Sequence, residues 1–363
     1  MKILLSNENR GWGGGEEQTL WLAEELAGLG QEVGILAQPG SELARRASSL
    51  GFAVRTTRLR NEVDLPAYFS LAAWFRKEGF QVVHAHATRD HLLACAAARS
   101  AGVPLTARTL HNFLESTMSG LCRRAYRKDT DLIFCVSESV RIQAISMGLP
   151  GEKMEVVPNG IDTEYFRTAP TGDFSLPEGF REKRAVGVVG HLIPKKGQDY
   201  FLSAAAILAE KFPELVFLIC GEGTDLPKLR ARSESLSISS RVLFTGYVPD
   251  VRDVFRLLDV VVIPSLEETF SLVAAEALAM EKPVAAFSSG GIPEVVGEEA
   301  GILVPPADVD ALADAVAALL QDPGRAVRMG RAGRERVEER FTRKKMAQRI
   351  LGIYHERLEK ARC

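Results

Sequence analysis

Long apolar runs are missing from these 363 residues: the longest, such as LVFLICG and DVVVIP, fall well short of the ~20 residues a membrane-spanning helix needs. The start, MKILLSNENR, turns polar after one lysine and three apolar residues, too early for a secretory leader, so the expected location is the cytoplasm. Cysteines are few. The five (Cys95, Cys122, Cys135, Cys220 and Cys363) are odd in number, widely spaced and include no C-x-x-C pair, and read as reduced core thiols plus a free terminal one. An excess of one charge is also absent. With a formal net charge of -2 there is no basic domain or stripe to suit a nucleic acid, and any phosphate must be recognised locally. Low-complexity tracts and short-period repeats are missing too.

What is present is a globular composition, 46% apolar and 25% charged, over a length that predicts two domains of similar size and therefore a cleft. The first half alternates short β-branched runs (KILLSN, EVGILAQ, QVVHAH, LTARTL, LIFCVS, MEVVPNG) with helix-length segments, the grammar of a parallel, doubly wound sheet. TAPTGDFSLPEGFREK, rich in Pro, Gly and Thr and without periodicity, reads as a linker, which places a hinge near 160–184. The second half repeats the grammar with AVGVVG, LVFLICG, RVLFTGY, VVVIPS, PVAAF and GILVP. Three helical segments close the chain with no strand between them, so at least one is expected to pack elsewhere, back on the first domain. The expected domains are 1–163, 164–342 and a C-terminal helix at 343–363.

Ligands of such sheets bind beyond the carboxyl ends of the strands, so the residues just after strands carry the functional reading. The first such loop, GWGGGEE, sets Gly11, Gly13, Gly14 and Gly15 ahead of a helix. It suits close approach of an anion to a helix N-terminus, or serves as a tight turn alone. A dinucleotide fingerprint is excluded, since Glu16 and Gln18 stand where glycine is needed and the second strand ends Ala37-Gln38 with no acid for a ribose. GHLIPKKG (190–197) offers His191, Lys195 and Lys196 before another helix, cations of the kind a departing diphosphate needs, or else a solvated lysine pair. No G-K-[ST] follows, which rules out a Walker loop.

The sharpest segment is SLEETFSLVAAEALAM (265–280). Glu268 lies in a loop, Ser271 can cap the next helix, and Glu276 falls inside it. Two carboxylates beside one helix N-terminus can hold a sugar hydroxyl and a ribose diol while the N–H groups of Phe270, Ser271 and Leu272 reach other oxygens. A first-turn acid plus an ordinary helical glutamate is the alternative. His84 and His86 share one face of a strand end and His111 closes another strand. With no third ligand spaced nearby, these suit polar core or cleft positions better than a metal site, His111 being best placed for a cleft. The triplets Asp129-Thr130-Asp131 and Asp308-Val309-Asp310 precede a strand and begin a helix, positions unsuited to a metal–diphosphate site. The arginine-rich stretches Arg45-Arg46, Arg55 to Arg60 and CRRAYRK (122–128) can line an anionic acceptor groove, touch a membrane surface, or form solvated faces.

Together these residues resemble the retaining GT-B glycosyltransferases of the group 1 and family 4 type, which include bacterial lipopolysaccharide and mannosyl transferases. GGGEEQTLWLAEELAGLGQEV is similar to their opening helix, VVPNGID (156–162) to the hinge strand, and VVGHLIPKKG, GEGTDLPKL, VLFTGYV and SSGGIPEVV to the donor-domain blocks in order. Glu268 to Glu276 fits their Glu-x7-Glu signature. The resemblance implies an α/β fold of two Rossmann-like domains facing across a cleft, the first on the acceptor side and the second binding the donor. It further implies transfer of a hexose with retention, without a metal or any cofactor beyond the nucleotide-sugar donor. UDP-sugar is favoured over GDP-sugar, and the acceptor is a glycan or glycolipid of cell-envelope or lipopolysaccharide synthesis; peripheral contact at the inner membrane face is a minority alternative to a cytoplasmic location. By the same resemblance, Lys196 neutralises the diphosphate, Glu268 holds the sugar hydroxyls and Glu276 the ribose. Gly13 and Gly14 approach the phosphates, and His111 lies beside the donor sugar. His191 stands where the family usually has arginine, and Glu268-Thr269-Phe270-Ser271 replaces Glu-Gly-Phe-Gly, which implies a tighter sugar pocket. A UDP-sugar epimerase of the same fold and a non-catalytic nucleotide-sugar-binding protein are the rivals, distinguished by product analysis with and without acceptor.

Overall fold

Apolar, β-branched runs separated by helix-length segments form parallel strands throughout, most of them buried on both faces. The computed structural model describes residues 1–59, 61, 63–115, 118–167, 172 and 174–360. The chain divides into one unit of Met1–Gly160 with Arg343–Cys363 and another of Ile161–Thr342.

The first unit carries β1 (Lys2–Asn7), α1 (Gly14–Gly28), β2 (Glu32–Ala37), α2 (Glu42–Ser49), β3 (Ala53–Thr56), α3 (Leu65–Glu78) and β4 (Val82–Ala85). α4 (Thr88–Asp90) passes through a π turn, His91–Cys95, into α5 (Ala96–Ala101). Then come β5 (Leu105–Leu110), α6 (Gly120–Arg124) with a second π turn at Ala125–Asp129, β6 (Leu132–Cys135), α7 (Glu138–Ser146) and β7 (Met154–Val156). The seven strands run parallel in the order β3-β2-β1-β4-β5-β6-β7, and the order reverses between β1 and β4, the crevice where such sheets hold ligands. Helix limits follow local chemistry. Asp64 caps α3 by accepting from the Ala67 amide, and Gly79 ends it in the left-handed region at φ 68°. One core packs α1 on one face of the sheet, and another packs α3 and α5 on the opposite face.

The second unit runs α8 (Thr163–Arg167), β8 (Ala185–Val189), α9 (Gln198–Lys211), β9 (Val216–Cys220), α10 (Leu226–Ser235), β10 (Val242–Gly246) and α11 (Val251–Leu257). It continues with β11 (Val260–Ile263), α12 (Leu272–Ala279), β12 (Val284–Phe287), α13 (Ile292–Ala300), β13 (Gly301–Val304), α14 (Val309–Gln321) and α15 (Pro323–Arg340). Its six parallel strands are ordered β10-β9-β8-β11-β12-β13. Phe201, Phe217, Phe287, Leu312 and Leu319 are among its fully buried core residues.

The last helix, α16 (Arg343–Lys360), belongs to the first unit, where Met346, Ile350, Ile353 and Tyr354 bury against α1 and the sheet. Arg343 pairs with Glu25 at 3.2 Å, and the Tyr354 hydroxyl meets His84 Nδ1 at 2.6 Å. Ile161, Asp162 and Thr163 fall with the second unit, three residues earlier than the sequence boundary at 163. The Ile161 amide donates to the Phe341 carbonyl (2.8 Å), and Ile161 bridges Thr342, which commits the chain at that point. The stretch expected as a linker is structured where it is described, the Gly172 and Phe174 amides donating to the Asp253 carboxylate, while 168–171 and 173 lie outside the described residues. Among the described residues no helix is long and apolar enough to cross a membrane. Cys95, Cys122, Cys135 and Cys220 are buried and form no disulfide, and Cys363 lies outside the described residues.

Candidate functional site

At the carboxyl edge of the second unit's sheet, the loops after β8, β9, β11 and β12 interlock, and glycine is what lets them. A Cβ on Gly197 (φ 70°) would lie 1.9 Å from the Pro264 carbonyl oxygen. One on Gly223 would lie 2.2 Å from the Leu192 oxygen, and one on Gly291 2.3 Å from the Thr269 oxygen. All are far inside van der Waals contact, so these positions admit no side chain. The backbone closes the same joints: Leu192 N donates to Glu222 O (2.9 Å), Leu266 N to Lys195 O (2.9 Å) and Gly291 N to Glu268 O (2.8 Å). The loops holding Lys196 and Glu268 are therefore fixed against each other before any ligand arrives.

Lys196 Nζ donates to Glu268 Oε2 at 2.5 Å, with side chains 24% and 13% exposed. The pair sits beside the start of α12. Ser271 caps that helix, its hydroxyl accepting from the Ala274 amide at 3.3 Å, from a left-handed backbone at φ 83°. The Leu272 and Val273 amides then have no intrahelical carbonyl, and the helix end carries partial positive charge. Phe270 is 2% exposed and packs edge-on against Phe341 at 5.5 Å, so only its backbone is open to a ligand. Glu276 is half-buried one turn into α12 and lies on the Leu272 face. His191 is exposed at the head of the β8 loop, where its carbonyl accepts from Gln198 Nε2 (3.0 Å). Lys195 is exposed and pairs with Glu267 at 3.4 Å. A cation, a carboxylate and free helix-start amides are thus presented within one rigid loop set, the complement of a phosphate next to a hydroxylated ring.

In the first unit, Gly13 is the extended residue before α1 and Gly14 its first residue. Gly15 faces the His111 ring, which a Cβ there would meet at 3.8 Å. His86 Nδ1 and His111 Nε2 are 2.9 Å apart with stacked rings. Although part of His111 reaches solvent, burial followed by the nearby Arg108 guanidinium pushes its pKa down to about 3. His84 and His86 are driven well below the ordinary range, mainly by burial, so all three imidazoles are neutral near pH 7. His84 is held between the hydroxyls of Tyr354 and Thr109 (2.7 Å). Among the described residues no group of three or more His, Cys, Asp or Glu is placed to hold a metal ion.

The other motifs have structural partners. Asp131 binds Arg99 (2.5 Å) and the Thr106 amide (2.9 Å), and Asp308 caps α14 by accepting from Ala311 N (2.9 Å). Arg45 and Arg46 both bind Glu42, and Arg46 also covers Trp12. Arg123 and Arg127 donate to the Met147 and Gly148 carbonyls. Arg55 stacks on Trp74, and Arg60 lies outside the described residues.

Residues 12–165 match the family model for Glycosyltransferase Family 4, and residues 177–336 the model for Glycosyl transferases group 1. The chain belongs to this glycosyltransferase family. It is 35% identical over 218 residues to a GDP-mannose-dependent alpha-(1-6)-phosphatidylinositol monomannoside mannosyltransferase of Mycobacterium tuberculosis, a match covering 57% of each chain. With an Escherichia coli UDP-Gal:alpha-D-GlcNAc-diphosphoundecaprenol alpha-1,3-galactosyltransferase it shares 28% over 313 residues, 80% of this chain and 79% of the relative. The crystal structure of Anabaena HepE in complex with UDP has the same GT-B fold, with a TM-score of 0.88 at 20% identity over 98% of this chain and all of that one.

Two features of this glycosyltransferase escaped the sequence reading. Gly223 and Gly291 set the loop geometry, and their signal was the recurrence of glycine just after strands (VVG, CGEG, SSGG). Asp90 and Arg108 form a buried polar centre beneath the first unit's ligand edge. Asp90 accepts from Ser6 Oγ (2.8 Å) and from the His86 and Ala87 amides, yet burial raises its pKa to about 7. A lone arginine inside a strand was the only available clue to Arg108.

Proposed function

We propose that this glycosyltransferase moves a hexose from a UDP-sugar to a glycan or glycolipid acceptor, with retention of configuration and with neither metal nor further cofactor. The observation that carries this reading is the Lys196–Glu268 pair held beside the start of α12, whose Leu272 and Val273 amides are not taken by the Ser271 cap. Lys196, with His191 on the same loop, neutralises the diphosphate as its charge grows, and the amides of Phe270, Ser271 and Leu272 take its oxygens. Glu268 accepts from hydroxyls of the transferred sugar and Glu276 from the ribose. Gly13 and Gly14 allow close approach to the phosphates, and a neutral His111 hydrogen-bonds the donor sugar. The bond from the anomeric carbon to the diphosphate breaks, the acceptor oxygen bonds that carbon from the same face, and the acceptor's proton leaves with the diphosphate. The proposal places the reaction in the cytoplasm, with glycolipid acceptors reached by peripheral membrane contact in cell-envelope or lipopolysaccharide synthesis.

The 35% identity to a GDP-mannose-dependent relative favours one second reading, a GDP-mannose donor. A donor panel tests both. Release of UDP or GDP from purified protein is measured in EDTA with and without saccharide and lipid acceptors, and the product anomer is read by NMR. Release confined to UDP-sugars with a retained anomer is expected. Epimerised donor without acceptor, or tight UDP binding with no release from any donor, would replace the transferase with one of its rivals.

A further inference from the structure

At the carboxyl edge of β1 and β2 in the first unit lies an open cavity of about 600 Å³, the size of small-molecule sites. Arg10, Arg58 and Arg89 line it, against one carboxylate, that of Glu8. Of the three guanidinium groups only Arg89 is ion-paired among the described residues, loosely, its Nε 3.9 Å from Glu8 Oε2. The walls are built rather than loose. The Arg10 carbonyl accepts from the Glu42 amide (3.2 Å), the Arg89 amide donates to Glu8 Oε1 (2.8 Å), and Thr57 N donates to Ala37 O (3.0 Å) just before Arg58. Gln38, a 4% exposed residue of the cavity wall, donates Nε2 to the Leu59 carbonyl (3.1 Å), while its Oε1 is buried with no partner. A buried acceptor of this kind calls for a donor from a ligand or water.

We propose that this cavity binds the acceptor, and that the acceptor carries a phosphate monoester next to free hydroxyls. The surplus of two guanidinium charges matches a phosphate dianion, for which arginine offers paired N–H donors. Gln38 and Glu8 accept hydrogen bonds from the hydroxyls. The word acceptor rests on the transferase reading, whereas the phosphate chemistry does not. A soluble sugar phosphate and a phosphorylated lipid headgroup share this chemistry.

The test is calorimetric titration of the full chain, with saturating UDP present to fill the donor loops. Glucose 6-phosphate is compared with glucose, and vesicles bearing phosphatidylinositol 4-phosphate with plain phosphatidylcholine vesicles. At least one phosphorylated probe should bind about tenfold or more tightly than its unphosphorylated partner, and Arg58→Gln and Arg10→Gln should each remove about that factor while UDP affinity is unchanged. A response to glucose 6-phosphate assigns a soluble acceptor, and one confined to vesicles a lipid-borne acceptor. No preference for phosphate in either pair, or preference untouched by both arginine variants, overturns the proposal. If UDP itself fails to bind while the arginine-dependent phosphate binding persists, the transferase reading fails alone.

Discussion

Lys196 and Glu268 hold each other in the unliganded loops, so replacing either affects folding as well as chemistry, and the two effects separate. Side chains 24% and 13% exposed at 2.5 Å lie between surface pairs, worth at most ~1 kcal/mol, and buried ones, whose disruption costs ~3–5 kcal/mol. Lys196→Ala should therefore destabilise the protein by ~1–2 kcal/mol, seen as a fall in Tm of roughly 2–8 °C. Loss of a cation facing the departing diphosphate adds ~2–4 kcal/mol to the barrier, roughly 30- to 1,000-fold in kcat/KM. In a double-mutant cycle, Glu268→Gln added to Lys196→Ala removes the stranded carboxylate and should recover much of the stability and none of the turnover. Thermal unfolding and UDP release, measured on all four proteins, read the cycle. Lys196→Ala with lowered Tm and unchanged kcat/KM, or turnover returning with stability in the double mutant, would reduce the lysine to a structural ion-pair partner.

Ser271 caps α12 from a left-handed backbone that glycine adopts more readily. Ser271→Gly should gain ~0.5–1 kcal/mol, relief of φ outweighing a few tenths lost from the cap, whereas Ser271→Ala keeps the strain, loses the cap and should cost ~1 kcal/mol; equal effects in thermal unfolding would contradict the cap geometry. His84, His86, His91 and His111 are all depressed by burial and so bind protons in the unfolded chain first, which removes stability as pH falls below ~6.5. Asp90 acts oppositely. Raised to about 7, it binds its proton in the folded state first, so its contribution is present below ~4 and lost as pH rises through 7. Four groups against one leave a net loss that steepens from ~2 kcal/mol per pH unit near pH 6.5 to ~4 near pH 5. The first unit should therefore unfold steeply between pH 6.5 and 5, and a flat Tm across that range would refute the neutral histidine cluster.

The strands and most helices were legible because two-sided burial demands continuous apolar runs and capping demands Ser or Asp at fixed offsets. Gly13, Lys196 and Glu268 were legible as residues that follow strands. The π turns at His91–Cys95 and Ala125–Asp129 were not, since they differ from α-helix by one hydrogen-bond step and leave no compositional mark. Nor was the left-handed backbone of Ser271, where the residue type argues for a cap and against a positive φ. The Lys196–Glu268 contact spans 72 positions and depends on loop packing at Gly197 that only coordinates reveal. Arg58, within one of three similar arginine-rich stretches, became distinct from Arg45, Arg46, Arg123 and Arg127 only when those proved to have partners.

A crystal structure of the protein with UDP bound tests the donor site most directly. The diphosphate should lie about 3 Å from Lys196 Nζ and from the first amides of α12, with the ribose at Glu276. UDP seated elsewhere, with Lys196 still bound to Glu268 alone, would contradict the assignment of these loops to the nucleotide sugar.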